Sequence, residues 1–172
     1  MAKLTKANEY GQLELNQVAF RRDGRIIAQY QLGDVEVAEN GMLLAVDHVN
    51  KTINFPEANQ TTGLALNYTT EHMYDERLAN GLKHFKLERG SFCPRLGLLA
   101  TGDRFTTNTV DCDIEAVKAG IGTTKYYGHA SANGYIVVND TADKAVLEVI
   151  AVTTMPDGSD AIKFAAISLT TM

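Results

Sequence analysis

The sequence predicts a mainly β fold, either a small β-barrel or a sandwich of short antiparallel strands, with one short helix and an extended N-terminal arm. Short apolar runs recur about every 8–12 residues, and Gly-Asp, Asn-Gly and Pro-Asp-Gly turns separate them. The C-terminal third predicts a hairpin, because two extended runs flank the Pro-Asp-Gly turn of residues 155–158. The side chains that share one face of each run are Leu147, Val149, Ala151, Ile162, Phe164 and Ala166.

The N-terminal arm is predicted over residues 1–16, which contain few large apolar side chains and have weak periodicity. Residues 17–172 are predicted to form a single β-rich domain, since a chain of 172 residues can bury one ordinary core. The first element of this domain is a predicted hairpin of residues 17–20 and 26–32 around the Asp23-Gly24 turn. The arginines beside that turn favour a solvated hairpin tip over a phosphate contact.

Several more short strands are predicted in order along the chain. Residues 35–37 alternate in polarity, and residues 42–46 form an apolar run typical of a buried strand. An Asn-Gly turn lies between them. Further strands are predicted at residues 52–55 and 96–100.

The short helix is predicted over residues 70–78, with Thr69 or Thr70 as its N-cap. Asn80-Gly81 is expected to end it. Residues 114–119 fit either a helical turn or a strand that ends at Gly120.

Two segments of the chain have similar sequences. When residues 40–53 are aligned with residues 133–146, the Asn-Gly pair, an Asp and a Lys are identical. Both segments contain an Asn-Gly turn, an apolar strand, an acidic turn and a returning strand. The similarity fits a duplicated β unit, and it fits equally well two unrelated uses of a common Asn-Gly pattern.

Composition excludes several functional classes. The net charge is −5, and 16 basic residues are scattered among 21 acidic ones, which argues against binding to nucleic acid. No apolar stretch is long enough for a membrane span, and the N-terminus has no apolar secretion signal, so we expect a cytosolic origin. Cys93 and Cys112 have no CxxC spacing and are expected to be free thiols.

The stretch "GLLATGDRFTTNTVDCD" (residues 97–113) is the most conspicuous polar region. The acidic residues at its end and just after it, Asp111, Asp113 and Glu115, resemble the start of a calcium loop. The Gly and Glu that such a loop needs later are replaced by Ala116 and Gly122. We therefore expect the three carboxylates to lie on the exposed face of a strand, and we expect the Gly-Asp pair to form a corner of the sheet.

No other set of residues predicts catalysis. The four histidines, His48, His72, His84 and His129, lack zinc-site spacing. His72, Asp75 and Glu76 form a dense polar run that fits an acid/base cluster less well than ion pairs on a helix. The sequence therefore predicts no enzyme and no catalytic, cofactor-binding or metal-binding residue.

Three stretches resemble small structural proteins of tailed bacteriophages, particularly phages of Gram-positive hosts. They are "KANEYGQLELNQVAFRRDGRI", "GLALNYTTEHMYDERLANGLKHFKL" and "PRLGLLATGDRFTTN". The rhythm of Gly-Asp, Asn-Gly and Pro-Asp-Gly turns is also similar to that of small β-barrel decoration proteins on phage capsids. The long middle segment, residues 59–90, is more than a minimal barrel of that kind needs.

The resemblance implies a virion protein that is assembled in the host cytoplasm. It implies a capsid decoration or cement protein on the outside of the head shell. Its partners would then be the major capsid protein or other virion proteins and copies of itself, with no nucleic acid or membrane. The alternatives are a tail, connector or head-fibre-base protein and, of another class, a small metal-binding or ligand-binding β-barrel.

Overall fold

The computed structural model describes residues 11–69, 86–91 and 95–167, which form fifteen strands and two helices. This confirms the mainly β prediction. The strands belong to a seven-stranded sheet A, a six-stranded sheet B and a two-stranded sheet C. The described strands do not close into a barrel, and the arrangement is that of a sandwich.

The strands of sheet A are, in spatial order, β1 (Leu13–Gln17), β10 (Arg104–Thr107), β15 (Asp160–Ala166), β14 (Leu147–Thr154), β12 (Tyr127–His129), β13 (Ile136–Asn139) and β11 (Val110–Asp111). Those of sheet B are β2 (Ile26–Ile27), β9 (Leu96–Gly97), β7 (Leu64–Asn67), β5 (Leu43–Asp47), β6 (Thr52–Asn54) and β3 (Gln31–Leu32). Sheet C pairs β4 (Val37–Ala38) with β8 (Leu87–Glu88), and the helices are α1 (Phe20–Asp23) and α2 (Ile114–Gly120). The pairs β3–β6 and β11–β13 are parallel, and the other strand pairs in the described ranges are antiparallel.

Both large sheets are strongly curled. In sheet B, β2 and β3 lie at opposite edges although only residues 28–30 separate them. Such a connection spans at most about 14 Å, whereas six flat strands would be about 24 Å wide. In sheet A, β10 and β11 are separated by two residues of sequence, but four strands lie between them. Each sheet therefore wraps around its own apolar interior.

The curling produces two hydrophobic cores that share sheet B. Leu43, Leu64 and Leu66 of sheet B pack into the larger core with the apolar residues of sheet A. Leu44 and Ala65, which point to the opposite face, belong to the smaller core inside sheet B. Because both faces are covered, residues 43–46 of β5 and residues 64–66 of β7 are apolar without interruption.

The hairpin predicted around Asp23-Gly24 is wrong. Residues 20–23 form helix α1, which Gly24 ends with a φ of 69°. The two flanking strands belong to different sheets, since β1 pairs with β10 and β2 pairs with β9. The cause is Phe20, which is fully buried and packs on Tyr68 and Gly97.

The C-terminal hairpin is confirmed as β14 paired with β15, but Ala151 lies on the face opposite to the predicted one. A β-bulge occurs between Val149 and Ala151. It places Ala151 opposite Lys163 and gives the next core-facing position to Val152. A bulge changes the alternation without a clear sequence signature, so the face predicted for Ala151 was wrong.

The segment whose state the sequence left open, residues 114–119, is helical. Asp113 caps α2, and its side chain accepts a hydrogen bond from the backbone N–H of Ala116 at 3.2 Å. With α1, the described ranges contain two helices rather than one. The predicted helix of residues 70–78 lies outside the described residues.

The predicted boundary between arm and domain, at residues 16 and 17, falls inside β1. Of the predicted arm, the structure describes residues 11–16, and β1 is hydrogen-bonded to β10. Residues 1–10 lie outside the described residues. The described part of the arm is therefore an edge strand of sheet A.

The two similar segments share their backbone conformation at the turns. Gly41 and Gly134 have φ values of 85° and 78°, and Lys51 and Lys144 have φ values of 54° and 58°. The segments also contact each other, since the N–H of Leu43 donates to the carbonyl of Gly134 at 3.0 Å. Their strand pairing differs, because β5 pairs directly with β6 whereas β12 lies between β13 and β14. Duplication stays a prediction.

Candidate functional site

The conspicuous polar stretch of the sequence forms part of a buried layer between the two large sheets. We call this layer the polar seam. Its members are Gln12, Glu39, Asn40, Asn67, Thr107, Asn108 and Thr109. Each of them is buried, and each has a hydrogen-bond partner in the same chain.

The threonines of the polar seam join distant parts of the chain. The Thr109 hydroxyl donates to the carbonyl of Asn40 at 2.6 Å, and the Thr107 hydroxyl donates to the carbonyl of Gln12 at 2.7 Å. Gly41 packs so closely on Thr107 that a Cβ at position 41 would lie 2.0 Å from the hydroxyl oxygen. The seam thus fixes the spacing of the two sheets.

Asn67, at the end of β7, connects the same layer to sheet B. Its side-chain amide donates to the carbonyl of Glu39 at 2.9 Å, and its own carbonyl accepts from the N–H of Gly41 at 2.9 Å. The side chain of Asn40 accepts from the N–H of Thr69 at 2.9 Å. These amides act as cross-links of the backbone.

Glu39 is the one acidic member of the seam, and it is buried. One carboxylate oxygen accepts the N–H of Gly11 at 2.6 Å, and the other accepts the hydroxyl of Tyr135 at 2.8 Å. Burial, followed by the hydrogen bond to Glu39, raises the pKa of Tyr135 far above its ordinary value of 10. The carboxylate therefore holds the start of the described chain against sheet A.

Asp103, in the predicted Gly-Asp corner, is also buried and also bound to the backbone. Its two oxygens accept the N–H groups of Ala19 at 2.7 Å and Ala100 at 2.8 Å. The guanidinium of Arg25 lies 4.0 Å from it. The carboxylate therefore connects Ala19, just before α1, with Ala100, just before the Gly-Asp corner.

The acidic triple does not share one strand face, so that prediction is wrong. Asp111 ends β11, Asp113 caps α2, and Glu115 pairs with Lys118 at 3.0 Å. The cause is the helix, which begins between the second and third carboxylates. Within the described ranges, no three His, Cys, Asp or Glu side chains are grouped so that they could hold a metal ion.

The two histidines that the structure describes, His48 and His129, have different surroundings. His48 shares a hydrogen bond of 2.7 Å with the Tyr30 hydroxyl near the surface. His129 is buried, and its Nε2 lies 3.1 Å from Oδ1 of Asn139 and 3.0 Å from the carbonyl of Thr141. Its Nδ1 has no partner in the part of the chain that the structure describes. The other candidates of the sequence, His72, His84, Asp75 and Glu76, lie outside the described residues.

Cys112 is a buried free thiol between two acidic residues. Burial first, and then the charges of Asp111 and Asp113, raise the pKa of this thiol to about 11. A protonated thiol is a poor nucleophile, so its position favours packing over chemistry. Cys93 lies outside the described residues.

The raised pKa values of Cys112 and Tyr135 predict that the protein loses stability in alkali. Both groups hold their proton more tightly in the folded state. The contribution of Cys112 is complete below about pH 9 and falls as the pH rises toward 11, whereas that of Tyr135 is complete below about pH 10 and falls above it. We expect about 2 kcal/mol of unfolding free energy to be lost over this range through Cys112. Chemical denaturation at a series of pH values measures it. Cys112→Ala should flatten the curve, and an unchanged slope in that variant would contradict the assignment.

A shallow apolar groove, which sequence reasoning missed, lies between the end of α2 and β14. We call it the α2–β14 groove, and its volume is about 690 Å³. Its lining residues are Lys118, Ile121, Gly122, Ile150, Ala151, Val152, Thr153, Thr154 and Asp160. Two segments distant in sequence form it, so no local pattern indicates it.

Comparison with known proteins identifies no relative, since the chain matches no family model, no curated protein and no solved structure. Neither helix in the described ranges is long and apolar enough to cross a membrane.

Proposed function

We propose that this protein is a structural component of a tailed-phage virion and not an enzyme, and that it binds the outside of the head shell as a decoration or cement protein. The observation that carries the proposal is that buried polar side chains form hydrogen bonds within the chain. The buried side chains of Glu39, Asp103 and Asn67 are all hydrogen-bonded to backbone groups of the same chain. This supports a rigid body that acts through its surface.

The sequence supplies the second support. The three stretches that resemble phage structural proteins cover β1, β7 and the corner before β10, which are parts of both large sheets. The partners we propose are the major capsid protein or other virion proteins and copies of this chain. In a symmetric shell, moderate interfaces of about 1,200–2,000 Å² suffice because they are repeated many times. The protein would be assembled in the host cytoplasm and function in the virion.

The N-terminal segment is the contact element that we propose, and its deletion is the test. Removing residues 1–10 leaves β1 and the bond between Gly11 and Glu39 in place. We expect this variant to melt at the temperature of the full chain and to be absent from particles purified after infection. Extended segments bind neighbours through their backbone groups, so loss of the segment removes the contact.

Deletion of residues 1–16 is the matched comparison. It removes most of β1 and is expected to lower the melting temperature, because Leu13 and Leu15 pack on the larger core. Full incorporation of the variant that lacks residues 1–10 would contradict the role of the segment. Copy number decides between locations: on the order of hundreds per particle indicates the head shell, whereas about a dozen indicates the tail, connector or a fibre base.

A further inference from the structure

The α2–β14 groove is apolar because a bulge turns an isoleucine toward solvent. Ile150 is the extra residue of β14 between Val149 and Ala151, and 41% of it is exposed. Strand β14 pairs with β15 before and after the bulge, but with β12 only at Leu147 and Glu148, so that side of β14 has no strand partner at Ile150 in the described ranges. A bulge re-aims a side chain, and here it adds an apolar contact to the groove.

One end of the groove carries a net negative charge. The Lys118 ammonium lies 3.0 Å from a carboxylate oxygen of Glu115 and 3.0 Å from one of Asp160. Two carboxylates around one ammonium leave an excess of one negative charge. An occupant that fits would place an apolar side chain in the groove and cationic side chains beside it.

The chain itself contains such a segment. In residues 1–10, "MAKLTKANEY", the apolar Leu4 lies between Lys3 and Lys6. The segment joins the described chain at the end of the molecule where the groove lies. Gln12 is hydrogen-bonded to Asp157 at 2.9 Å, in the turn between β14 and β15, and the groove lies beside the same turn at Thr154 and Asp160.

The direction of β1 favours the groove of a second copy. Strands β1 and β15 both run away from the 155–159 turn, because each is antiparallel to β10. Gly11, the first described residue, therefore lies at the end of sheet A where that turn lies. To enter its own groove the segment would have to reverse over the turn, whereas a second copy is free to present its groove on the side toward which the segment starts. Ten residues span up to about 35 Å, enough to reach a neighbour.

We propose that the α2–β14 groove receives residues 1–10 of a second copy of this chain, with Leu4 against Ile150 and the two lysines near Glu115 and Asp160. The inference rests on the proposed function only in that a virion would hold many copies side by side. The contact itself joins two identical chains.

Disulfide trapping between purified full-length chains tests the contact. In a background of Cys93→Ser and Cys112→Ala, one protein carries Leu4→Cys, and a second, enlarged by a tag, carries Ile150→Cys. The two are mixed and mildly oxidised. We expect several-fold more of the mixed dimer than with Val49→Cys as the second protein. Val49 is 91% exposed in the β5–β6 turn and serves as the control for random collision.

The outcomes separate the possibilities. Equal yields with Ile150→Cys and Val49→Cys would overturn the proposal. A chain that carries both Leu4→Cys and Ile150→Cys and forms only an internal disulfide would also overturn it, because the segment would then occupy its own groove. The trapping uses no virions. A strong mixed dimer together with normal incorporation after deletion of residues 1–10 would contradict the head-binding role of the segment and leave this contact standing.

Discussion

Replacing Gly41 by alanine is expected to destabilise the protein by about 3–5 kcal/mol, a large part of the roughly 5–15 kcal/mol that stabilises an ordinary domain. Gly41 has a φ of 85°, which strains any residue with a Cβ. The added carbon would also lie 2.0 Å from the hydroxyl oxygen of Thr107 and 2.8 Å from its Cβ. The seam would have to open, which separates the two sheets. Chemical denaturation of the purified variant measures the loss.

Gly102→Ala is the control that isolates the close contact. Gly102 has a similar φ of 92°, but no heavy atom of a neighbour lies within 4 Å of a Cβ built there. We expect this variant to lose only about 1–2 kcal/mol from backbone strain. Equal losses in the two variants would mean that the seam does not determine the spacing of the sheets.

Glu39→Ala is expected to lower the unfolding free energy by about 3 kcal/mol. The substitution leaves the N–H of Gly11 and the hydroxyl of Tyr135 without the carboxylate that accepts from both. Hydrogen bonds to a charged group contribute about 1.5–3 kcal/mol each, and a buried donor without an acceptor is costly. Denaturation curves and amide exchange at residues 11–17 report the loss.

A double-mutant cycle with Tyr135→Phe separates the two bonds of Glu39. Tyr135→Phe alone removes one hydrogen bond and keeps the ring in place, so we expect a loss of about 1–2 kcal/mol. In the Glu39→Ala background the same change should cost much less, because the hydroxyl has already lost this acceptor. Additive losses would show that the two side chains do not interact.

The sequence predicts the local elements well and the long-range pairing poorly. The hairpin of β14 and β15 was predictable because one turn and two neighbouring strands define it. Phe20 was placed in a strand because its neighbours are strand-like, whereas burial against Gly97 and Tyr68 holds it in a helix. The bulge at Ile150 depends on contacts with β15 that no local pattern encodes.

The polar seam illustrates why the site could not be derived from the sequence. Thr107, Asn108 and Thr109 have the composition of an exposed loop. They are buried because Gln12 and Asn40, which are distant in sequence, provide their partners. The nearest indication was Gly41 in the Asn-Gly turn, since a conformation that favours glycine permits close backbone approach. The α2–β14 groove has no such indication.

Cryo-electron microscopy of the virion addresses the proposed role. Maps of particles assembled with and without this protein can be subtracted, and the described sandwich can be fitted to the difference. We expect difference density that matches the two curled sheets on the outer surface of the head, repeated with the symmetry of the shell. Difference density confined to the tail or connector, or no difference at all, would contradict a decoration protein.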